Sequence, residues 1–176
     1  MYETPRPLQQ SDAYASALHH MGRQVIRVGH SGASCQFGIA RRAGPLRLAY
    51  LPRGSVPDWR DVFCGGGPGL CVVIPDTLPS HAPGCPILTP QHVAELDLRP
   101  GPDTLWNGLH GKWRNRLRRA LEGPVVTVQE RFDPPRHAGL IGREEAQRKQ
   151  RRYRSWPRSF LTAFAATSPD DAIILR

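Results

Sequence analysis

The stretch Gln24-Val-Ile-Arg-Val-Gly-His-Ser-Gly-Ala-Ser-Cys-Gln-Phe-Gly-Ile-Ala-Arg-Arg-Ala-Gly-Pro-Leu-Arg-Leu-Ala-Tyr-Leu-Pro-Arg53 decides the fold class. Three runs in it, Gln24–Val28, Cys35–Arg41 and Leu46–Arg53, read as β-strands. Gly-Ala and Ala-Gly-Pro turn signals separate them, which predicts three strands in an antiparallel meander. Upstream, Ser11 suits the N-cap of a helix from Asp12 to Met21 that Gly22 ends. Downstream, Pro57–Phe63 has an acidic first turn and an apolar side, as a short helix does. Gly65-Gly66-Gly67-Pro68-Gly69 breaks it. The unbroken apolar run Leu70–Ile74 reads as a buried central strand. Val93–Leu98 is a further strand, and Pro100-Gly101-Pro102 launches a long helix from Asp103 to Leu121. The pattern then restarts after Gly123-Pro124: a strand Val125–Gln129, helices His137–Arg154 and Arg158–Thr167, and a strand Ala172–Leu175. The class is α+β. A strand at the very end with no partner after it suggests a sequence cut short.

The 176 residues carry 24 Lys and Arg against 15 Asp and Glu, a formal charge of +9 and a pI near 10.2. Such a balance points to an anionic partner: nucleic acid, a phosphorylated cofactor or an anionic head group. The positive residues cluster twice, at Lys112, Arg114, Arg116, Arg118 and Arg119, and at Arg148, Lys149, Arg151, Arg152 and Arg154. Cys35, Cys64, Cys71 and Cys85 form no C-x-x-C pair, and no signal-peptide core precedes them, so free thiols in a reducing compartment are expected. Their spacing with His81 and His92 fits no common zinc pattern, and no metal is expected. No apolar run approaches the ~20 residues that cross a bilayer.

On a helical wheel, Leu105, Leu109, Trp113, Leu117, Ala120 and Leu121 form one stripe, expected to be core. Lys112, Arg116 and Arg119 form an i, i+4, i+7 ridge on its flank, with Arg116 inside the apolar arc. A guanidinium beside buried leucines calls for a partner, so an anion or phosphate site lined by Lys112, Arg116 and Arg119, with Asn115 as a neutral donor, is the candidate binding site. Arg114 and Arg118 point the other way, as a solvated pair. The Cys64–Gly69 loop follows a helix and leads into a strand, the reverse of the order that cradles phosphate, and reads as a turn. No G-x-S-x-G elbow exists, and none of the seven histidines has an evident nucleophile beside it, so no catalytic residue is named.

Four segments in order, Tyr50-Leu-Pro-Arg-Gly54, Thr89-Pro-Gln-His-Val-Ala-Glu-Leu-Asp-Leu98, Gly111-Lys-Trp-Arg-Asn-Arg-Leu-Arg-Arg-Ala120, and Glu145-Ala-Gln147 with Arg152-Tyr153, resemble the FemAB-like, GNAT-related acyltransferases of bacteria. The resemblance covers most of the chain from about Val25. It implies GNAT-like units in tandem, each a mixed sheet with flanking helices: residues 1–122 as the first, residues 123–176 as the start of a second, catalytic one. It further implies transfer of an acyl or aminoacyl group to an amine, in the cytoplasm or at the inner membrane surface. The donor would be acyl-CoA or aminoacyl-tRNA, the acceptor a phosphorylated cell-wall precursor, and no prosthetic group is required. No Arg-x-x-Gly-x-Gly pyrophosphate loop occurs, and the Gly65-Gly66-Gly67 loop has no counterpart in the pattern. Two other readings stand beside this one: an RNA-binding basic module, with Trp113, Tyr153 and Trp156 near cations, and a catalytically inactive interaction domain.

Overall fold

A computed structural model of the chain describes residues 6–29, 35–54, 69–76, 84–88, 96–124 and 126–176. The contacts divide it into two compact units, Met1–Ala82 with Glu130–Ile174, and Pro83–Gln129 with Leu175–Arg176. The expected helix at Pro57–Phe63, most of the glycine loop, Cys64, His81, His92 and Val93–Glu95 lie outside the described residues.

The first unit is built on a four-stranded mixed sheet, β1 (Gln24–Val28), β2 (Gln36–Ala43), β3 (Leu46–Pro52) and β4 (Gly69–Ile74), in the order β1-β2-β3-β4. The meander is antiparallel as the sequence predicts, whereas β4 runs parallel to β3. Gly44, at φ +60°, followed by Pro45 makes the tight turn between β2 and β3. Gly38 lies where strands crowd: a Cβ there would sit 3.1 Å from the Tyr50 carbonyl oxygen and 3.2 Å from Ile26. Contrary to the expectation of a central strand, β4 is the last strand of the sheet among the described residues, and Leu70 stays 55% exposed. A continuous apolar run cannot by itself tell a doubly covered strand from one whose second face lines an open groove.

The register places side chains on two faces. Ile26, Val28, Ala49, Leu51, Cys71 and Val73 make one core cluster. On the other face, Val25 and Ile39 join the cluster formed by α1 (Asp12–His20) and α5 (Arg158–Thr167), in which Tyr14, Ala17, Leu18, Phe160 and Ala163 are buried. Ser11 caps α1, its Oγ accepting from the Tyr14 N–H at 3.1 Å. Before it, a 3-10 turn, Leu8–Gln10, tucks Gln10 into the sheet. The β2–β3 pairing stops at Ile39↔Tyr50, and Phe37 lies two residues further on, opposite Pro52, which has no N–H. The Gln10 amide takes the vacant rung. Phe37 N–H donates to its Oε1 at 2.8 Å, and its Nε2 donates to the carbonyls of Phe37 at 3.1 Å and Pro52 at 2.5 Å.

Helix α4 (Ala138–Arg151) ends on Arg152 in the left-handed region, φ +56°. The last strand, β6 (Ile173–Leu175), is paired, with β5 (Gln129–Arg131) as its neighbour. Val128 and Arg176 exchange both backbone hydrogen bonds and Phe132 N–H reaches the Ala172 carbonyl, which makes the pairing antiparallel. This strand begins four residues later than Val125, where the sequence pattern places it.

In the second unit the single helix expected from Asp103 to Leu121 is two: α2 (Pro102–Gly108) and α3 (Gly111–Glu122), broken at Leu109 and His110, which adopt extended ψ angles of 136° and 139°. Leu96, Asp97 and Leu98 have no sheet partner among the described residues. Leu96 and Leu98 are each 71% exposed, and Asp97 instead grips Arg99, accepting from its backbone N–H and guanidinium. The guanidinium hydrogen bonds are the main reason the Asp97 carboxyl is held down at about 2. No described helix is long and apolar enough to cross a membrane.

Candidate functional site

Helix α3 carries all four residues expected to hold an anion, and the structure brings them to one exposed face. Lys112, Asn115, Arg116 and Arg119 are all open to solvent. The surroundings differ from expectation. Trp113, Leu117 and Leu121 are exposed as well, at 61%, 41% and 68%, so the stripe predicted to be core is largely uncovered; Leu105 and Leu109 are half-buried. Arg116 thus does not sit among buried leucines. Its guanidinium lies over the Trp113 ring, 5.2 Å from the centroid, where cation–π attraction holds it against an aromatic face.

The roles of the outward pair are also revised. Arg118 is exposed, but Arg114 is half-buried and turned back toward α2, where its Nη2 donates to the carbonyls of Asn107 and Leu109, both at 2.9 Å. Arg114 Nε is buried with no hydrogen-bond partner among the described residues. The break at Leu109–His110 explains the swap. The break shifts the phase of α3 only relative to Leu105 and Leu109, and the orphan carbonyls at the end of α2 need a donor that Arg114 supplies. His110 caps α3 weakly, its Nδ1 3.4 Å from the Lys112 N–H.

In the first unit the structure shows two concavities that the sequence does not. One is a groove of about 550 Å³ on the half of the sheet that α1 and α5 leave open. Two cross-strand rows form its floor, Ile39–Tyr50–Val72 and Arg41–Leu48–Leu70. Trp156 and Phe160, stacked at 4.6 Å, form a wall, and Arg23 and Arg41 bring positive charge. Burial raises the hydroxyl pKa of Tyr50, and that of Tyr14 is raised by burial and then by Tyr50 itself. The alternation Ile39, Arg41 and Leu48, Tyr50 was visible as strand; that it floors a groove depends on the distant α5.

The other is an open basic hollow of about 490 Å³ at the end of α4, lined by Arg148, Lys149, Arg152, Tyr153, Arg154 and Ser155. It gathers most of the second basic cluster. Tyr153 hydroxyl is fixed at its edge by donating to Glu144 at 3.2 Å.

His137 is buried, with Nδ1 accepting from the Asp133 N–H at 3.0 Å and Nε2 3.0 Å from Glu130 Oε1. With Nδ1 an acceptor, the proton belongs on Nε2, facing the carboxylate. Both ring nitrogens are occupied, and Arg136 neutralises the same carboxylate at 2.7 Å. The group holds β5 to α4 and has no free nitrogen for proton transfer. Among the described residues no hydroxyl or thiol hydrogen-bonds a histidine.

No family model matches the sequence, and no curated protein matches it. A solved structure does: that of FemX, with a TM-score of 0.62 at 14% identity, covers 99% of this chain. The chain has a FemAB-like fold. It spans 57% of the length of FemX. At this identity the likeness is one of fold, and the mixed sheet with flanking helices is what it rests on.

Proposed function

We propose that the chain belongs to an aminoacyl- or acyltransferase of the FemAB-like kind, acting on an amine acceptor in the cytoplasm. The observation that carries this reading is the likeness to FemX over nearly the whole chain. The sequence resemblance, in Gly111–Ala120 above all, supports it independently. The reaction is attack of an amine nitrogen on the carbonyl of an aminoacyl ester or acyl thioester. A C–N bond forms and the C–O or C–S bond breaks; the amine's proton goes to a base, and the ribose hydroxyl or thiol leaves protonated. The donor, aminoacyl-tRNA or acyl-CoA, and a phosphorylated cell-wall acceptor are all polyanions. In this reading Lys112, Arg116 and Arg119 grip their phosphates, Asn115 adds a neutral donor, and Arg116 is pre-positioned by Trp113. The tandem arrangement, with a second GNAT-like unit beginning near residue 123, is part of the same proposal.

A transfer assay with labelled aminoacyl-tRNA or acyl-CoA and an amine-bearing peptidoglycan precursor tests it, on this chain and on any longer natural product containing it. Turnover that falls at least tenfold in Lys112→Ala with Arg116→Ala, but not in Arg118→Ala, is expected. Turnover indifferent to the ridge, or absent from every form, overturns the assignment.

A second reading, an RNA-binding module, draws on the basic hollow beside Tyr153. Its affinity would fall steeply with salt and drop when Arg148 and Lys149 are neutralised together. Arg114, committed to the α2 carbonyls, takes no part in it.

A further inference from the structure

We propose that the groove on the β2–β4 face of the sheet binds a long-chain amphiphile with an oxyanion head, a single alkyl or acyl phosphate or carboxylate. The head sits between Arg23 and Arg41, and the chain runs across β3 toward β4.

The register orders the groove along one direction. On β2, Arg41 pairs with Leu48 of β3, which pairs with Leu70 of β4. Extending the β1–β2 register one step past Gln24↔Ala40 sets Arg23 opposite Arg41 on the same face. The row therefore reads Arg23–Arg41–Leu48–Leu70: two guanidiniums and then two leucines, from β1 to the sheet edge. Neighbouring strands lie ~4.8 Å apart, so Leu70 on β4 lies about 10 Å from Arg41 on β2, with Leu48 of β3 between them. A ligand that matches it is charged at one end only.

The charged end is unbalanced. Among the described residues neither Arg23 nor Arg41 has an ion-pair or hydrogen-bond partner for its guanidinium, and two like charges lining one end of a groove repel. A phosphate or carboxylate between them would remove that repulsion and accept from both planar forks. The apolar end is equally unspent. Leu70 is 55% exposed and Tyr50 36% exposed on a sheet face whose other half is closed by α1 and α5. A volume of about 550 Å³ falls in the ~300–1,000 Å³ range of small-molecule sites. Trp156 and Phe160, stacked on one another, give the chain a flat apolar wall. Charge complementarity at one end and uncovered apolar surface at the other together favour an amphiphile over a peptide, whose backbone would bring polar groups onto Leu48 and Leu70.

The proposal is independent of the transferase reading, since it involves neither the ridge on α3 nor turnover. The test is calorimetric titration of the full chain with dodecyl phosphate and with dodecanoate, both below their micelle concentrations. Uncharged dodecyl maltoside and inorganic phosphate serve as comparators, with tryptophan fluorescence as a second readout. One site is expected for either or both anionic amphiphiles, which also tells a phosphate head from a carboxylate one. The comparators should bind at least tenfold more weakly. The fluorescence change should be lost in Trp156→Phe. Arg23→Gln combined with Arg41→Gln, both at exposed positions, should weaken the anions at least tenfold and leave the maltoside unaffected. Leu70→Asp should weaken them as much. Equal binding of maltoside, binding of phosphate alone as tightly as the amphiphiles, or indifference to the arginine pair would each overturn the proposal. So would a dimer in light scattering that Leu70→Asp dissociates, because a second copy would then be the occupant.

Discussion

Replacing Gln10 tests whether a side-chain amide completes the ladder that Pro52 interrupts. In Gln10→Leu, three buried backbone groups lose their partner at once: the Phe37 N–H and the carbonyls of Phe37 and Pro52. Each orphaned buried group costs ~1–3 kcal/mol. Partial entry of water and the added apolar contact offset some of this, so the low end, about 3 kcal/mol in total, is expected. At roughly 2–4 °C per kcal/mol for a chain of this size, the melting temperature should fall by roughly 6–12 °C. Gln10→Glu supplies the sharper signature. Its carboxylate still accepts from Phe37 N–H but sets a negative oxygen against two carbonyls. Its folded pKa is therefore raised above the unfolded value of about 4.3. Stability from the protonated form is present below that unfolded pKa and is lost as pH rises through the folded one. Urea midpoints for wild type, Gln10→Leu and Gln10→Glu between pH 4 and 8 decide the matter. If Gln10→Leu costs under about 0.5 kcal/mol, or Gln10→Glu matches wild type at pH 7, the amide is not completing the sheet.

Four further outcomes are expected. Phe160→Ala removes a ring packed on Trp156, Tyr14 and Phe164 and should cost ~3–5 kcal/mol by chemical denaturation; a loss near 1 would mean the α1–α5 contact is loose. Arg114→Ala should destabilise the second unit by about 1–2 kcal/mol and lower helix content by circular dichroism, whereas Arg118→Ala should change neither; equal effects would remove the assigned tie between α2 and α3. Burial holds the Cys71 thiol pKa up, so at pH 8 a disulfide reagent should label exposed Cys85 well before Cys71; the reverse order would contradict the placement of β4. With the Tyr14 and Tyr50 hydroxyls raised above the ordinary value near 10, their contribution to stability is complete below pH 10 and declines as pH rises through the folded values. Urea midpoints from pH 9 to 11.5 should fall less in Tyr14→Phe than in wild type, and identical slopes would exclude Tyr14 as a source.

What could be read without coordinates was whatever depends on near neighbours in sequence. The turn at Gly44-Pro45, the cap at Ser11 and the helix Arg158–Thr167 were all signalled locally, and all occur. Interpretations that needed a rotational phase or a distant partner went astray. The stripe Leu105 to Leu121 presumed an unbroken helix; the break at Leu109–His110 leaves carbonyls that Arg114 satisfies, and Trp113, Leu117 and Leu121 stay exposed rather than surrounding Arg116 with buried side chains. Leu70–Ile74 was apolar enough for a central strand, but only the sheet order shows it beside an open groove. Gln10 gave no signal, because its importance comes from a proline 42 positions away.

The pairing of α1 with α5 has a bearing on how the polypeptide is made. Tyr14, Ala17 and Leu18 leave the ribosome well before the Phe160 and Ala163 that bury them, which are translated roughly 140 codons later. At about 5–20 residues per second, the interval is on the order of ten seconds, far longer than a helix or hairpin takes to form. During it, among the described residues of that cluster, Met21, Val25 and Ile39 are what the apolar side of α1 can already pack against. Rare codons between Gly54 and Pro157 would lengthen the time that α1 waits for α5.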